Sequence, residues 1–160
     1  MFEEILKRCG RFLTHISLKF SDMDVDDSEN VLSIVAKECT NLRHIDLSHY
    51  RVTKNFIQLF QPNFHKIEVL RCVTDGRIND NDFNNLFLKT TKLKHLKIVN
   101  NCNGNFLHAL NKETLTYLEL QSNMNGMNFI TYIIINFIKI TYSMTKKYCR
   151  WNFNQHCKIL

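Results

Sequence analysis

The sequence has little glycine and proline, with only four Gly and one Pro among 160 residues. A flexible linker of the Gly- or Ser-rich kind is therefore not expected, and the length suits one folded domain with a hydrophobic core. The six cysteines are spread along the chain without a C-x-x-C pair, and the acidic, amphipathic segment from Phe2 to Lys7 does not resemble a signal peptide. Reduced thiols and a cytoplasmic or nuclear location are expected.

The sequence also lacks the features of membrane and nucleic-acid binding. The longest apolar run, Phe129 to Ile140, is interrupted by Asn136 and Lys139 and falls short of the roughly 20 residues that a membrane-spanning helix needs. The formal net charge is +6, but five of the 21 basic residues and none of the 15 acidic residues follow residue 123. The first 123 residues hold 16 basic and 15 acidic residues. This near-neutral part offers no obvious field for binding phosphates.

What the sequence does have is a recurring set of three apolar residues with the spacing L-x-x-L-x-L. Five copies, called the apolar frames below, begin at Leu13, Leu42, Phe64, Leu93 and Leu115. Their starts are 29, 22, 29 and 22 residues apart, with a mean of 25.5. A period in the twenties that carries this spacing is typical of leucine-rich repeats.

Each frame follows a segment whose apolar residues have helical spacing. Helices are expected to begin near Phe2, Asp27, Thr53, Asp80 and Phe106. Gly10 and Pro62 are expected to end the first and third of these helices. The frames themselves predict short parallel strands. The predicted fold is an α/β leucine-rich-repeat solenoid, an open horseshoe segment with the strands on the concave face and the helices on the convex face.

Residues 1–123 are expected to form about five repeats, whereas residues 124–160 continue no frame. The ninth position of a frame, usually Asn or Cys at a turn, is filled by Ser21, Tyr50, Cys72, Asn101 and Asn123. Tyr50 departs most from this pattern. The tail is rich in amino acids with A/T-rich codons, so it is either translated non-coding sequence or a degenerate C-terminal cap. Without a proper cap, we expect an open strand edge and marginal stability.

The junctions between helix and strand carry a likeness to a known family. The segment Val31–Leu47, VLSIVAKECTNLRHIDL, places Cys39 just before the turn into a frame, and the segment Ile5–Leu13, ILKRCGRFL, places Cys9 in the same way. This arrangement resembles the cysteine-containing leucine-rich repeats of F-box/LRR proteins. The resemblance covers about residues 2–123. It implies that the repeats bind the protein substrate of an SCF-type E3 ubiquitin ligase.

One part of that family's pattern has no counterpart in this chain. The F-box is an N-terminal module, and Met1 leads directly into the helix of the first frame. The chain is therefore expected to be a fragment or a repeat-only relative, and a ligase adaptor would bind only if an F-box lies upstream. The alternative is a generic leucine-rich-repeat interaction scaffold that is unrelated to ubiquitin.

The polar positions of the five predicted strands form three columns of candidate partner-binding residues. The first column is His15, His44, Lys66, His95 and Tyr117. The second column is Ser17, Asp46, Glu68, Lys97 and Glu119. The third column is Lys19, Ser48, Leu70, Val99 and Gln121. Their mixed surface, roughly 20 Å across, suits a protein partner on the concave face of a monomer.

A metal site is not expected from the histidines or from the acidic segment. Lys66 interrupts the histidine column, and no third donor is placed beside His15 and His44. The segment Asp22–Asp27 opens like a calcium loop but has Asp at the sixth position and Ser33 at the twelfth, where Gly and Glu are needed.

The remaining chemistry-bearing residues do not indicate catalysis. The cysteines of the repeat region, at positions 9, 39, 72 and 102, are expected to be small core residues. Cys149, His156 and Cys157 are half a zinc site without a second pair. Since there is no nucleophile elbow, phosphate loop or Cys–His–Asp arrangement, we expect neither an enzyme nor a cofactor.

Overall fold

The computed structural model describes residues 2–19, 25–99, 105–111 and 113–121, and the strands 141–145 and 148–152. Within this part of the chain, five strands pair in parallel in the order of the sequence, and helices connect them. The fold is therefore α/β. None of the described helices is both long enough and apolar enough to cross a membrane.

The helices are α1 (Phe2–Cys9), α2 (Val25–Glu38), α3 (Lys54–Phe60) and α4 (Asp80–Phe87). Short 3-10 helices cover Gly10–Phe12, Gln61–Lys66 and Asn105–Ala109. The strands are β1 (His15–Ser17), β2 (His44–Val52), β3 (Val69–Thr74), β4 (His95–Val99), β5 (Tyr117–Gln121), β6 (Thr141–Thr145) and β7 (Tyr148–Asn152). The sheet has the order β1-β2-β3-β4-β5-β7-β6.

The core lies between the first five strands and the helices. Ile16, Ile45, Leu70, Leu96 and Leu118 occupy successive paired positions on β1 to β5. All except the half-buried Ile16 are at most 1% exposed, and they belong to one apolar cluster with the inward faces of α2, α3 and α4. Consecutive helices also contact each other. Each strand and helix therefore buries its apolar side against its neighbours in the sequence.

The third frame lies three residues later than the sequence predicted. In β3, Leu70 is paired with Ile45 and Leu96, and Cys72 is paired with Leu47. The frame on β3 thus begins at residue 67, and the frame starts are 29, 25, 26 and 22 residues apart. Cys72 is accordingly a buried strand residue and not a turn residue.

The reason for the displacement is the segment that follows α3. The α-helix ends at Phe60, before Pro62, as predicted, but the chain stays helical because Pro62 lies at the start of the 3-10 helix Gln61–Lys66, where a missing N–H is tolerated. That helix carries Phe64 into the core, where it is fully buried with its ring centroid 6.2 Å from that of Phe87. Phe64 is thus a core residue of the turn and not the first residue of a frame.

The N-cap of α4 lies one residue earlier than predicted, whereas α1 ends directly before Gly10, as predicted. The cap of α4 is Asn79, whose side chain accepts from the Asp82 N–H while the Asp82 carboxylate accepts from the Asn79 N–H. Gly10 begins a 3-10 helix after α1, and it is required there by close packing. A Cβ at Gly10 would lie 2.9 Å from the carbonyl oxygen of Glu38, which is backbone and cannot move aside.

Strand β2 contains a bulge of three residues. Leu47 pairs with Cys72 and Arg51 pairs with Val73, so residues 48–50 have no counterpart in β3. Tyr50, the residue that departed from the turn pattern, is turned inward and is only 8% exposed. The bulge therefore accommodates a large aromatic residue without disturbing the register of the buried rows.

The segment after residue 123 contributes to the edge of the sheet. Strand β7 pairs antiparallel with β5, and β6 pairs antiparallel with β7. The edge of β5 is therefore occupied and not open as the sequence predicted. Several sequence predictions lie outside the described residues, namely those on residues 21–24, Asn101, Cys102 and Asn123 and the half zinc site at residues 156 and 157.

The position of the third frame can be tested by two alanine substitutions. Leu70→Ala should lower the free energy of unfolding by about 2–5 kcal/mol because it leaves a cavity in the core. Val69→Ala, on the half-buried side of the same strand, should cost about 1 kcal/mol or less. Urea unfolding followed by circular dichroism measures both values. A larger loss of unfolding free energy for Val69→Ala than for Leu70→Ala would contradict the observed register and support a frame that begins at Phe64.

Candidate functional site

The candidate site is the side of β1 to β5 that does not face the core, called the outer face below. Its residues alternate with the buried rows along each strand. Two rows run across it at paired positions. The first row is His15, His44, Val69, His95 and Tyr117. The second row is Ser17, Asp46, Arg71, Lys97 and Glu119.

The structure brings most of the predicted partner-binding residues together on this face. The predicted residues in the two rows are His15, Ser17, His44, Asp46, His95, Lys97, Tyr117 and Glu119. In the predicted third column, Val99 pairs with Gln121. Lys19 lies exposed beyond β1, and Ser48 lies in the bulge of β2. These two residues therefore flank the rows and do not continue them.

The three residues predicted at the position of β3 are not on the outer face. Leu70 is fully buried in the core. Lys66 ends the 3-10 helix before β3, where its Nζ donates to the carbonyl oxygen of Thr40 at 2.8 Å. Glu68 precedes β3. The residues that replace them on the face are Val69, Arg71 and Val73. The signal was present in the sequence, since Ile67, Leu70 and Cys72 also have the spacing of a frame.

Ion pairs connect neighbouring strands across the second row. Arg71 Nη1 lies 3.2 Å from Asp46 Oδ2, and Asp46 Oδ1 accepts from the Ser48 N–H at 3.0 Å. Burial raises the pKa of Asp46, but the hydrogen bonds from Ser48 and Arg71 outweigh it and lower the pKa below the ordinary value of 3.8. The Asp46 carboxylate is therefore ionised and fixed in position at neutral pH.

A second carboxylate at the other end of the row is held in the same way. Glu119 is only 4% exposed, and its Oε1 lies 3.3 Å from Lys97 Nζ. The Tyr117 hydroxyl donates to Glu119 Oε2 at 2.6 Å. A buried carboxylate is costly unless it is paired in this manner. These contacts align Lys97, Tyr117 and Glu119 on adjacent strands.

Aromatic rings form contacts in the first row. The ring centroids of His15 and His44 are 3.8 Å apart in an edge arrangement, and those of His95 and Tyr117 are 5.7 Å apart and stacked. Burial and the neighbouring His15 lower the pKa of His44 below its ordinary value of 6.5. Burial and then Arg71 and Lys94 lower the pKa of His95. These shifts favour neutral rings that can both donate and accept hydrogen bonds.

A depression of about 410 Å³ lies on β1 to β4 and is lined by residues of both rows. Its polar lining is His15, Ser17, His44, Asp46, Arg71 and His95. The arrangement places the His44 and His95 imidazoles, whose lowered pKa values favour the neutral form, beside one fixed ion pair, which suits hydrogen bonding to a partner's polar groups. Within the part of the chain that the structure describes, no three His, Cys, Asp or Glu side chains are grouped to hold a metal ion.

Glu68 forms a separate ion-pair network at the N-terminal ends of the strands. Lys94 Nζ lies 2.7 Å from Glu68 Oε2, and Arg43 Nη1 lies 3.4 Å from Glu68 Oε1. The hydrogen bond from Lys94 lowers the pKa of Glu68 below 4.5. Arg43, Glu68 and Lys94 each follow the first residue of a frame. The network thus joins three successive turns beside the outer face.

Cys9, Cys39 and Cys72 are free thiols. Cys9 Sγ donates to the carbonyl oxygen of Ile5 at 3.1 Å, and Cys39 and Cys72 are buried. Burial raises the pKa of the Cys72 thiol to about 12. Cys72 is therefore an unreactive core thiol at neutral pH.

Compared with known protein families, curated proteins and solved structures, the chain shows no match. Its assignment to the F-box/LRR family therefore stays a prediction from the sequence.

The lowered pKa of His44 predicts that the stability of the chain depends on pH. Because the pKa of His44 is lower in the folded chain than its ordinary value of 6.5, the unfolded chain takes up the proton first as the pH falls. The stability that the neutral ring contributes is complete above about pH 6.5 and is lost as the pH falls towards the folded pKa. We expect a lower free energy of unfolding at about pH 5.5 than at about pH 7.5, with a smaller difference in His44→Gln.

Urea unfolding at both pH values measures this difference. The matched control is His49→Gln, since His49 lies exposed in the bulge of β2. Asp46 and Glu68 do not contribute to the difference, because their pKa values are lowered below 3.8 and 4.5 and both groups stay ionised at the two pH values. An unchanged pH difference in His44→Gln, or an equal reduction in the control, would contradict the prediction.

Proposed function

We propose that this chain is a leucine-rich-repeat module that recognises a protein partner through the outer face. The single observation that supports this proposal is the alignment of the five frames. Equivalent frame positions lie side by side on β1 to β5, so that apolar residues form continuous buried rows. The residues between them form a second surface, of which only Glu119 among the described side chains of the two rows is buried. In the proposed solenoid, the strands line the concave side and the helices lie on the convex side.

The chemistry of the outer face favours a protein over other kinds of ligand. It carries both signs of charge, with Asp46 paired to Arg71 and Glu119 paired to Lys97. Histidine and tyrosine rings lie beside these pairs, and Val69 adds apolar surface. A mixed surface of aromatic, charged and apolar groups is typical of protein interfaces. The five strands span roughly 20 Å, which gives a partner one continuous surface across neighbouring strands.

A narrower proposal is that the partner is the substrate of an SCF-type ubiquitin ligase. Its support is the likeness of the helix–strand junctions to F-box/LRR proteins, with Cys39 buried directly after α2 and Cys9 at the end of α1. The alternative is an interaction scaffold unrelated to ubiquitin. Both would use the same face, so the outer face alone does not separate them.

A photo-activated cross-linking residue can test the binding surface. Placed at Ser17 or Arg71 on the outer face, it should form a covalent product with a protein partner in cells, while at Asn85, exposed on α4, it should not. With the identified partner purified, Arg71→Glu should weaken binding about tenfold or more by removing a fixed cation. The matched control Asn85→Glu introduces the same charge on the helical side.

Isothermal titration calorimetry measures the two affinities. Equal effects of Arg71→Glu and Asn85→Glu, or cross-linking only from the helical position, would reject the outer face as the binding surface.

The ligase proposal has its own test. If genomic sequence upstream of Met1 encodes an F-box, a chain that includes it should co-purify with the ligase adaptor, whereas residues 1–123 alone should not. Failure of the extended chain to bind the adaptor would leave the interaction scaffold as the better proposal.

A further inference from the structure

A second surface lies at the turns that lead into the strands, and it is strongly basic. A pocket of about 580 Å³ is lined there by Arg11, Phe12, Asn41, Arg43, Lys66 and Lys92, together with Thr14 and His65. We call it the turn pocket. Four of its side chains carry a positive charge, and no acidic residue lines it. This concentration of charge contrasts with the near-neutral balance of the first 123 residues.

The displaced third frame explains how these residues come together. With the frame on β3 starting at residue 67, the residues directly before the first four frames are Phe12, Asn41, Lys66 and Lys92. All four line the turn pocket. Since adjacent parallel strands stand about 4.8 Å apart, these four positions span roughly 14 Å. The pocket therefore follows the edge of the sheet across four consecutive turns.

Several contacts fix the shape of the turn pocket before any ligand binds. Asn41 Nδ2 donates to the carbonyl oxygen of Arg11 at 2.8 Å, and Lys66 Nζ donates to the carbonyl oxygen of Thr40 at 2.8 Å. The guanidinium carbon of Arg11 lies 4.8 Å from the ring centroid of Phe12. The two hydrogen bonds tie neighbouring turns together, so part of the ordering cost of binding is already met.

The cations of the turn pocket are only partly neutralised. Arg43 shares Glu68 with Lys94, but among the described residues Arg11, Lys66 and Lys92 form no ion pair. Arg11 and Lys92 are exposed, and Phe12 is 70% exposed. The pocket thus offers unpaired positive charge beside a large apolar ring. That combination complements an anionic ligand that also carries an apolar group.

We propose that the turn pocket binds an acidic peptide segment of a protein partner, with an apolar side chain of that segment against Phe12. A span of roughly 14 Å matches about four residues of extended peptide. Nucleic acid is disfavoured because the positive patch is short and Glu68 lies at its border, whereas phosphate backbones need a longer basic surface. This inference rests on the proposed role in protein recognition and assigns partner chemistry to a second surface.

The probe that tests the proposal is a fluorescein-labelled nonapeptide of alternating Glu and Ser with one central Phe. Fluorescence anisotropy with the full chain should show binding that weakens as salt is added. A matched peptide with Gln in place of Glu should not bind. A single-stranded oligonucleotide of equal charge should bind more weakly than the acidic peptide, and the reverse order would overturn the proposal.

Charge-reversed variants locate the site. Lys92→Glu and Arg11→Glu should each weaken binding of the acidic peptide about tenfold or more. The matched control Lys89→Glu changes an exposed lysine outside the pocket and should leave the affinity within about twofold. Thermal unfolding of each variant shows whether it remains folded, which is expected because all three side chains are exposed. Equal losses in Lys92→Glu and Lys89→Glu would overturn the assignment.

The outer face serves as an internal reference. Arg71→Glu, which tests the proposed function, should leave binding of the acidic peptide unchanged because Arg71 does not line the turn pocket. If the peptide fails to bind while Arg71→Glu still weakens binding of the partner, only the proposal for the turn pocket is rejected. If the peptide binds and no outer-face variant affects the partner, only the outer face is rejected.

Discussion

The structure depends on the sharing of one apolar layer between successive strands and helices. A strand of three to nine residues with one short helix cannot bury its own apolar side. Stacking in sequence order solves this problem, because each of Ile45, Leu70, Leu96 and Leu118 contacts the same continuous core. The parallel register that the backbone hydrogen bonds impose is therefore also the register of the hydrophobic contacts. A slip of one residue in any strand would place its whole apolar set on the wrong side.

The same constraint leaves two surfaces outside the core. On the outer face, alternation along the strands brings polar and aromatic side chains into rows, and contacts between strands hold them in place. At the edge, the turns bring together basic residues that are 23 to 32 positions apart in the sequence. Neither surface contains residues that are needed for the core. Their chemistry is consequently free to be adapted to a partner without loss of the fold.

The sequence predicted the parts of the fold that rest on unambiguous spacing. The apolar spacing allowed only one start for each of the frames at Leu42, Leu93 and Leu115, and their strands lie where they were expected. The segment from Phe64 to Cys72 allowed two starts, because a frame can begin at Phe64 or three residues later at Ile67. Local pattern cannot choose between them. The choice is made by tertiary packing, in which Phe64 fills space beside Phe87 and leaves Leu70 for the central row.

The same ambiguity determined which parts of the candidate site could be predicted. Eight predicted residues on β1, β2, β4 and β5 lie in the two rows of the outer face, whereas Arg71 was missed because it belongs to the displaced frame. The turn pocket was not predicted, since its residues align only when the third frame begins at residue 67. The position of β7 beside β5 could not be predicted either, because its residues carry no frame.

The bulge in β2 has a consequence for how such a chain can change in length. The distances between frame starts vary from 22 to 29 residues, yet the buried rows stay aligned. Residues 48–50 show that extra length can be taken up beyond the end of a frame, where Tyr50 even gains a place in the core. Insertions and deletions at that end of the strands are therefore decoupled from strand alignment, and the chain can lengthen one connection while the neighbouring strands keep their geometry.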